Sequence, residues 1–156
     1  LGGGVTASNI TYTGSTFMTA EFTNGNTTNL GLDGGVLLST GLYSDVAQPA
    51  SAFMSSDFTY PGDADLDNLT TGGTFDACVL EFDFIPLDDT IKFRYVFGSE
   101  EYPEYVCSTF NDVFGFFITG PNPFGPAYAS TNLALIPGTA LPVAINTVNQ
   151  GPIDLS

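Results

Sequence analysis

The chain has 156 residues, 43% of them hydrophobic and only 12% charged, which is long enough for a domain with a real core. Its 17 acidic residues face two basic ones and no histidine, for a formal net charge of −15. Nothing here can neutralise phosphates, so nucleic acid and anionic membrane surfaces are poor partners; 14 Phe and 7 Tyr set it apart from an acidic disordered chain, and no apolar run approaches the about 20 residues of a spanning helix.

Residues 5–12 are rich in β-branched side chains and read as a strand, and residues 17–22 as a second, ending on the turn Asn24-Gly25-Asn26. Val36-Leu37-Leu38, between glycines, suits a buried strand. Residues 43–60 are loosely patterned, with a helical turn expected at 50–54. Asp63, Asp65 and Asp67 then alternate like the start of a calcium loop. An EF-hand needs Gly at the sixth position and Glu at the twelfth, where this chain has Asn68 and Thr74, so an EF-hand is rejected. The alternative is a short helix capped by Asp63.

Residues 79–85 alternate, with Leu80, Phe82 and Phe84 on one face and Glu81 and Asp83 on the other. After Pro86-Leu87-Asp88-Asp89, the apolar Ile91, Phe93, Tyr95 and Phe97 alternate with Lys92 and Arg94. This pattern predicts an antiparallel hairpin in which the two cations pair with Glu81 and Asp83 across the strands. Residues 113–118 are apolar on both faces and predict a central strand, with further strands at 133–136 and 143–148 around Pro137-Gly138. No amphipathic helix exceeds two turns. The expected fold is all-β: an antiparallel β-sandwich of jelly-roll type with short helical turns only, as a single domain over residues 1–156.

The stretch 96–118 joins two very apolar segments through an acidic loop carrying Glu100, Glu101 and Glu104 and ending on Asn111 and Asp112. Crowded carboxylates beside a core need an offset, and a bound cation supplies it. Without His, and with two Cys, the ion should be hard and oxygen-ligated, calcium first. The expected ligands are Glu100, Glu101, Asn111 and Asp112 from the two ends of the loop, with Asp63 and Asp65 from the second acidic segment. The alternative is that these side chains cap turns or face solvent. Cys78 and Cys107 form one disulfide in an extracellular setting or stand as two buried thiols. Catalysis is weakly supported: a nucleophile triad lacks its base, and a carboxylate-pair glycosidase would work here without Trp or spare cationic donors.

The run Phe-Gly-Ser-Glu-Glu-Tyr-Pro-Glu-Tyr followed by Phe-Asn-Asp-Val-Phe-Gly-Phe-Phe-Ile, within residues 97–118, resembles the choice-of-anchor L domain of bacterial surface and secreted proteins. Similar segments are Gly35-Val36-Leu37-Leu38-Ser39-Thr40-Gly41, Asp63-Ala64-Asp65-Leu66, residues 76–84, and Ala134-Leu135-Ile136-Pro137-Gly138-Thr139, so the resemblance covers nearly the whole chain in order. It implies an extracellular or cell-surface location, a Bacteroidetes-type source with type IX secretion, no known catalysis, and more weight for the Cys78–Cys107 disulfide. Such domains usually continue for several strands past residues 146–149, which implies that the C-terminal strands are lacking and that further residues or a neighbouring subunit complete the sheet edge. Asp89-Thr90-Ile91 fits the short pattern on which such bacteria attach O-glycans, making Thr90 a candidate. No leader is visible at Leu1-Gly2-Gly3-Gly4, which fits one removed upstream.

Three readings follow. The first is a non-enzymatic, calcium-stabilised surface module for adhesion, binding an extracellular glycan or protein, with Tyr102 and Tyr105 offering a binding face. The second is a structural subunit of an extracellular filament or surface layer that binds copies of itself. The third is a carbohydrate-active enzyme on the same scaffold.

Overall fold

The structure is a computed structural model and describes residues 4–49, 51, 54–101 and 105–148. The fold is all-β: among the described residues eight short strands form antiparallel ladders, with one-turn helices between them. No helix among the described residues is long and apolar enough to cross a membrane. The chain divides into two compact units, one of Leu1–Pro49, Ser55–Pro61 and Phe75–Val96, the other of Ala50–Met54, Gly62–Thr74 and Phe97–Ser156.

In the first unit, β1 (Val5–Thr13) pairs antiparallel with β4 (Val79–Pro86), and β2 (Thr19–Phe22) with β3 (Gly35–Leu38). β1 carries one extra residue between Ser8 and Thr11. Asn9 takes a left-handed φ of 51° there, and its amide donates to Asp83 Oδ2 at 2.7 Å. The bulge has a packing consequence: Ala7 and Tyr12, five residues apart, would otherwise fall on opposite faces. The inserted residue returns both to the face of their partners Phe84 and Leu80. Met18 is fully buried, and Ala77, Ser15 and Asp76 are nearly so. Gly14 turns the chain between β1 and β2 at φ 140°, where a Cβ would press on the Tyr12 hydroxyl.

The expected hairpin is corrected. β4 forms as predicted, but its neighbour is β1, and residues 90–99 form no strand. Asp83 is engaged by Asn9, and the Arg94 guanidinium donates to Gly31 O at 2.6 Å rather than crossing to β4. Alternation fixes which residues share a face, but it leaves the partner strand open, and β4, in the middle of the chain, pairs with β1 near residue 5 instead of the segment that follows it.

In the second unit, β5 (Val113–Phe114) pairs with β8 (Val143–Ala144), and β6 (Phe117–Gly120) with β7 (Tyr128–Asn132). The expected strand over 113–118 is thus two strands, parted at Gly115, where a Cβ would run into the Phe117 ring. Residues 133–136 contribute a single bridge, Leu135 to Pro142, and the expected strand over 143–148 turns after two residues into α2 (Ile145–Val148). Ala134, Val143, Ala144 and Ile145 form the buried core of this unit. α1 (Ala64–Asp67) begins as the capping reading expects: Asp63 Oδ1 accepts from the backbone N–H groups of Asp65 and Leu66 at 2.9 and 3.1 Å. Of the helical turn expected at 50–54, Ala50, Ala52 and Phe53 lie outside the described residues.

Candidate functional site: the acidic loop

The loop from Ser99 to Asp112 belongs to the second unit, and its two ends meet. Ser99 Oγ donates to Asp112 Oδ2 at 2.6 Å and accepts from the Glu101 backbone N–H at 3.1 Å. Tyr105 N–H returns to Glu101 O, and Ser108 N–H to Tyr105 O, each at 3.0 Å. The Tyr105 and Phe110 rings stack edge-on with centroids 5.4 Å apart. Among its described residues the loop is thus closed at its base and carries an internal ring contact.

One residue far away in sequence ties the loop to α2. Asn146 Oδ1 accepts from Cys107 N–H at 2.6 Å, its amide donates to Ser108 O at 3.1 Å, and its own N–H donates to Asn111 Oδ1 at 2.9 Å. Ile145 N–H donates to Asp112 O at 3.0 Å, extending the β5–β8 ladder up to the loop base. These bonds hold Cys107 at a left-handed φ of 66°.

Glu101 stands apart. Its Oε2 is buried and has no hydrogen-bond partner among the described residues. Burial raises its pKa first, and the charges of Asp112 and Glu100 raise it further. A buried carboxylate oxygen crowded by like charge and lacking a donor is held either by a proton or by a cation.

The other predicted ligands are engaged elsewhere. Asp63 caps α1; Asp65 Oδ2 accepts from Ser130 Oγ at 2.6 Å; Asn111 bridges Asn146 N–H and, through its amide, Thr70 Oγ1 at 3.0 Å. Asp67 Oδ1 accepts from the backbone and hydroxyl of Thr74. Among the described residues no group of three or more acidic or thiol side chains is already gathered around a metal-sized position. What remains together is Glu101 and Asp112, with Glu100 exposed beside them. Glu104 and Tyr102 lie outside the described residues. Sequence reasoning missed Ser99 and Asn146. A serine opening the acidic run hinted at the first, but nothing local hinted at the second, 39 residues from the amide it holds.

The disulfide expectation is also corrected: both cysteines are free thiols. Cys78 lies in the first unit, where its thiol donates to Met18 O at 3.4 Å and contacts the Tyr12 hydroxyl at 3.3 Å. Tyr12 in turn donates to Ser15 O at 2.7 Å, and burial with the adjacent thiol pushes its pKa up. Cys107 lies in the second unit and is exposed. A count of two cysteines says nothing about the Cα approach a bridge requires. Thr90 is exposed, with its hydroxyl donating to Asp89 Oδ1 at 3.0 Å.

The family model of the choice-of-anchor L domain matches residues 1–154. No curated protein and no solved structure matches the chain.

Proposed function

The chain belongs to the choice-of-anchor L domain family, which suggests a surface or secreted protein module, and from that premise we propose a non-enzymatic extracellular domain whose acidic loop is stabilised by calcium and serves adhesion to a glycan or protein. The observation that carries the metal part is the unpartnered, buried Oε2 of Glu101 beside Asp112 and Glu100. Those three carboxylates would hold the ion. Backbone carbonyls, the Ser99 hydroxyl and water would complete the roughly six to eight oxygens that calcium takes. The ion would neutralise the crowded carboxylates and fix the loop, and with it the aromatic pair Tyr105–Phe110, of which Phe110 is 58% exposed. An exposed aromatic on a fixed loop is suited to stacking on a sugar ring or filling an apolar pocket. Thr90, exposed just after the bend at residues 87–89, remains open to O-glycan attachment in this reading.

Calcium titration by calorimetry tests the proposal. Wild-type protein is expected to bind one ion, and the Glu101→Gln variant to bind none. Absence of heat in wild type, or equal binding in the variant, would overturn the placement of the ion.

A further inference from the structure

The two basic residues of the chain, Lys92 and Arg94, are separated by a single residue. Between Asp89 and Glu100 they are the only charged side chains, so residues 90–99 carry two positive charges in a chain of formal charge −15. Those same ten residues form no strand or helix. Lys92 and Arg94 are exposed, as are Tyr95 at 45% and Val96 at 55%, while Ile91, Phe93 and Phe97 are half-buried and anchor the segment. The bond from the Arg94 guanidinium to Gly31 O is made at the surface.

The segment also lies between the ladders. β1–β4 and β2–β3 are complete at Pro86, and β5–β8 and β6–β7 begin at Val113, so a chain break within residues 90–99 interrupts none of them. Two bonds inside the second unit span such a break. The Asn111 amide donates to Thr70 Oγ1 at 3.0 Å, and Ser130 Oγ donates to Asp65 Oδ2 at 2.6 Å.

From this we infer that residues 92–95 are a processing site for an endoprotease of trypsin-like specificity, one whose pocket carries a carboxylate for a Lys or Arg side chain. Water is added across the Lys92–Phe93 or the Arg94–Tyr95 peptide bond, leaving a carboxylate on the basic residue and an ammonium on the aromatic one that follows. An endoprotease takes several substrate residues in extended form, so burial and hydrogen bonding of the local backbone decide where it cuts. Here alternate side chains must let go, but no ladder must open. Charge decides which enzyme class fits: an anionic pocket finds a cationic side chain at these two residues and nowhere else in the chain. The cut chain keeps its four ladders and stays one particle, held by the second unit. This processing is independent of the calcium reading.

Limited digestion of the purified, folded chain with trypsin tests the inference, with a synthetic peptide of residues 88–99 as the unstructured reference. The folded chain should be cut after Lys92 or Arg94 at a rate within about a hundredfold of the peptide's, whereas cleavage that must await global unfolding is slower by about a thousandfold or more. The two fragments should elute together on gel filtration. Thr11→Lys, at an exposed position within the β1–β4 ladder, adds a third basic residue and should stay uncut at that position while the cut at 92–94 proceeds. A folded chain that resists trypsin as a globally protected one does would overturn the inference. So would fragments that separate, or equally fast cleavage at position 11 of the variant.

Discussion

At the scale of single residues, two carboxylates of the chain show opposite solutions to burial. Asp76, nearly buried, accepts from the backbone N–H groups of Phe58 and Tyr60 at 3.0 and 2.7 Å. Together with Asp57, which accepts from Thr59 N–H, it holds Thr59 at a φ of 57° that a β-branched residue rarely adopts. Asp76→Ala leaves two donors unmet and is expected to cost about 2–4 kcal/mol in denaturant unfolding. Glu101 has no such donors at Oε2 among the described residues, and its pKa is raised. A carboxyl whose folded pKa lies above its unfolded value binds more protons when folded, so its contribution is present at low pH and is lost as pH rises from about 4.5 through the folded value. The calcium-free protein should therefore gain stability on acidification from neutrality toward that window, and Glu101→Gln should be as stable as wild type or more so at neutral pH, with a flatter pH profile. Parallel melting curves at several pH values measure both. A steeper loss of wild-type stability on mild acidification, with no difference from the variant, would contradict the assignment. Glu101 was legible in the sequence as one of several acidic residues; that among the described residues only its Oε2 is buried without a donor was not, because donors such as Ser99 reach their acceptors only through the folded loop.

At the scale of elements, what is local was legible and what is distant was not. The capping of α1 by Asp63 follows from a carboxylate two and three residues ahead of the N–H groups it serves, and β3 follows from an apolar run between glycines. The partner of β4 did not follow from either strand, since Val5 and Pro86 meet across about half of the chain. The fastening of the acidic loop is non-local in the same way. Asn146→Ala removes the acceptor of Cys107 N–H and the donor to Ser108 O, and is expected to destabilise by about 1–3 kcal/mol. Amide exchange at Cys107 should accelerate while exchange in β1 and β4 stays as in wild type. Equal exchange at Cys107 in both proteins would show that the clamp is unimportant in solution.

At the scale of the whole molecule, composition and the alternation along the chain anticipated an all-β chain of antiparallel strands, and the ladders bear that out. It did not anticipate how the thiols are used. With Cys78 and Cys107 both free, adding reductant should leave the melting temperature unchanged; a large drop would mean that a bridge forms in the oxidised protein. The acidic balance of the chain, −15 with no histidine, is what the calcium proposal starts from, and the loop at residues 99–112 is where that balance meets Glu101 Oε2, buried and without a partner among the described residues. The most direct test is thermal unfolding of the purified domain at neutral pH with calcium and then with excess chelator. If the loop holds calcium in the native state alone, a hundredfold excess over Kd adds about 2.7 kcal/mol, or roughly 5–10 °C in Tm for a chain of this size, and Glu101→Gln abolishes the shift. Identical melting curves with calcium and with chelator would contradict a calcium-stabilised loop.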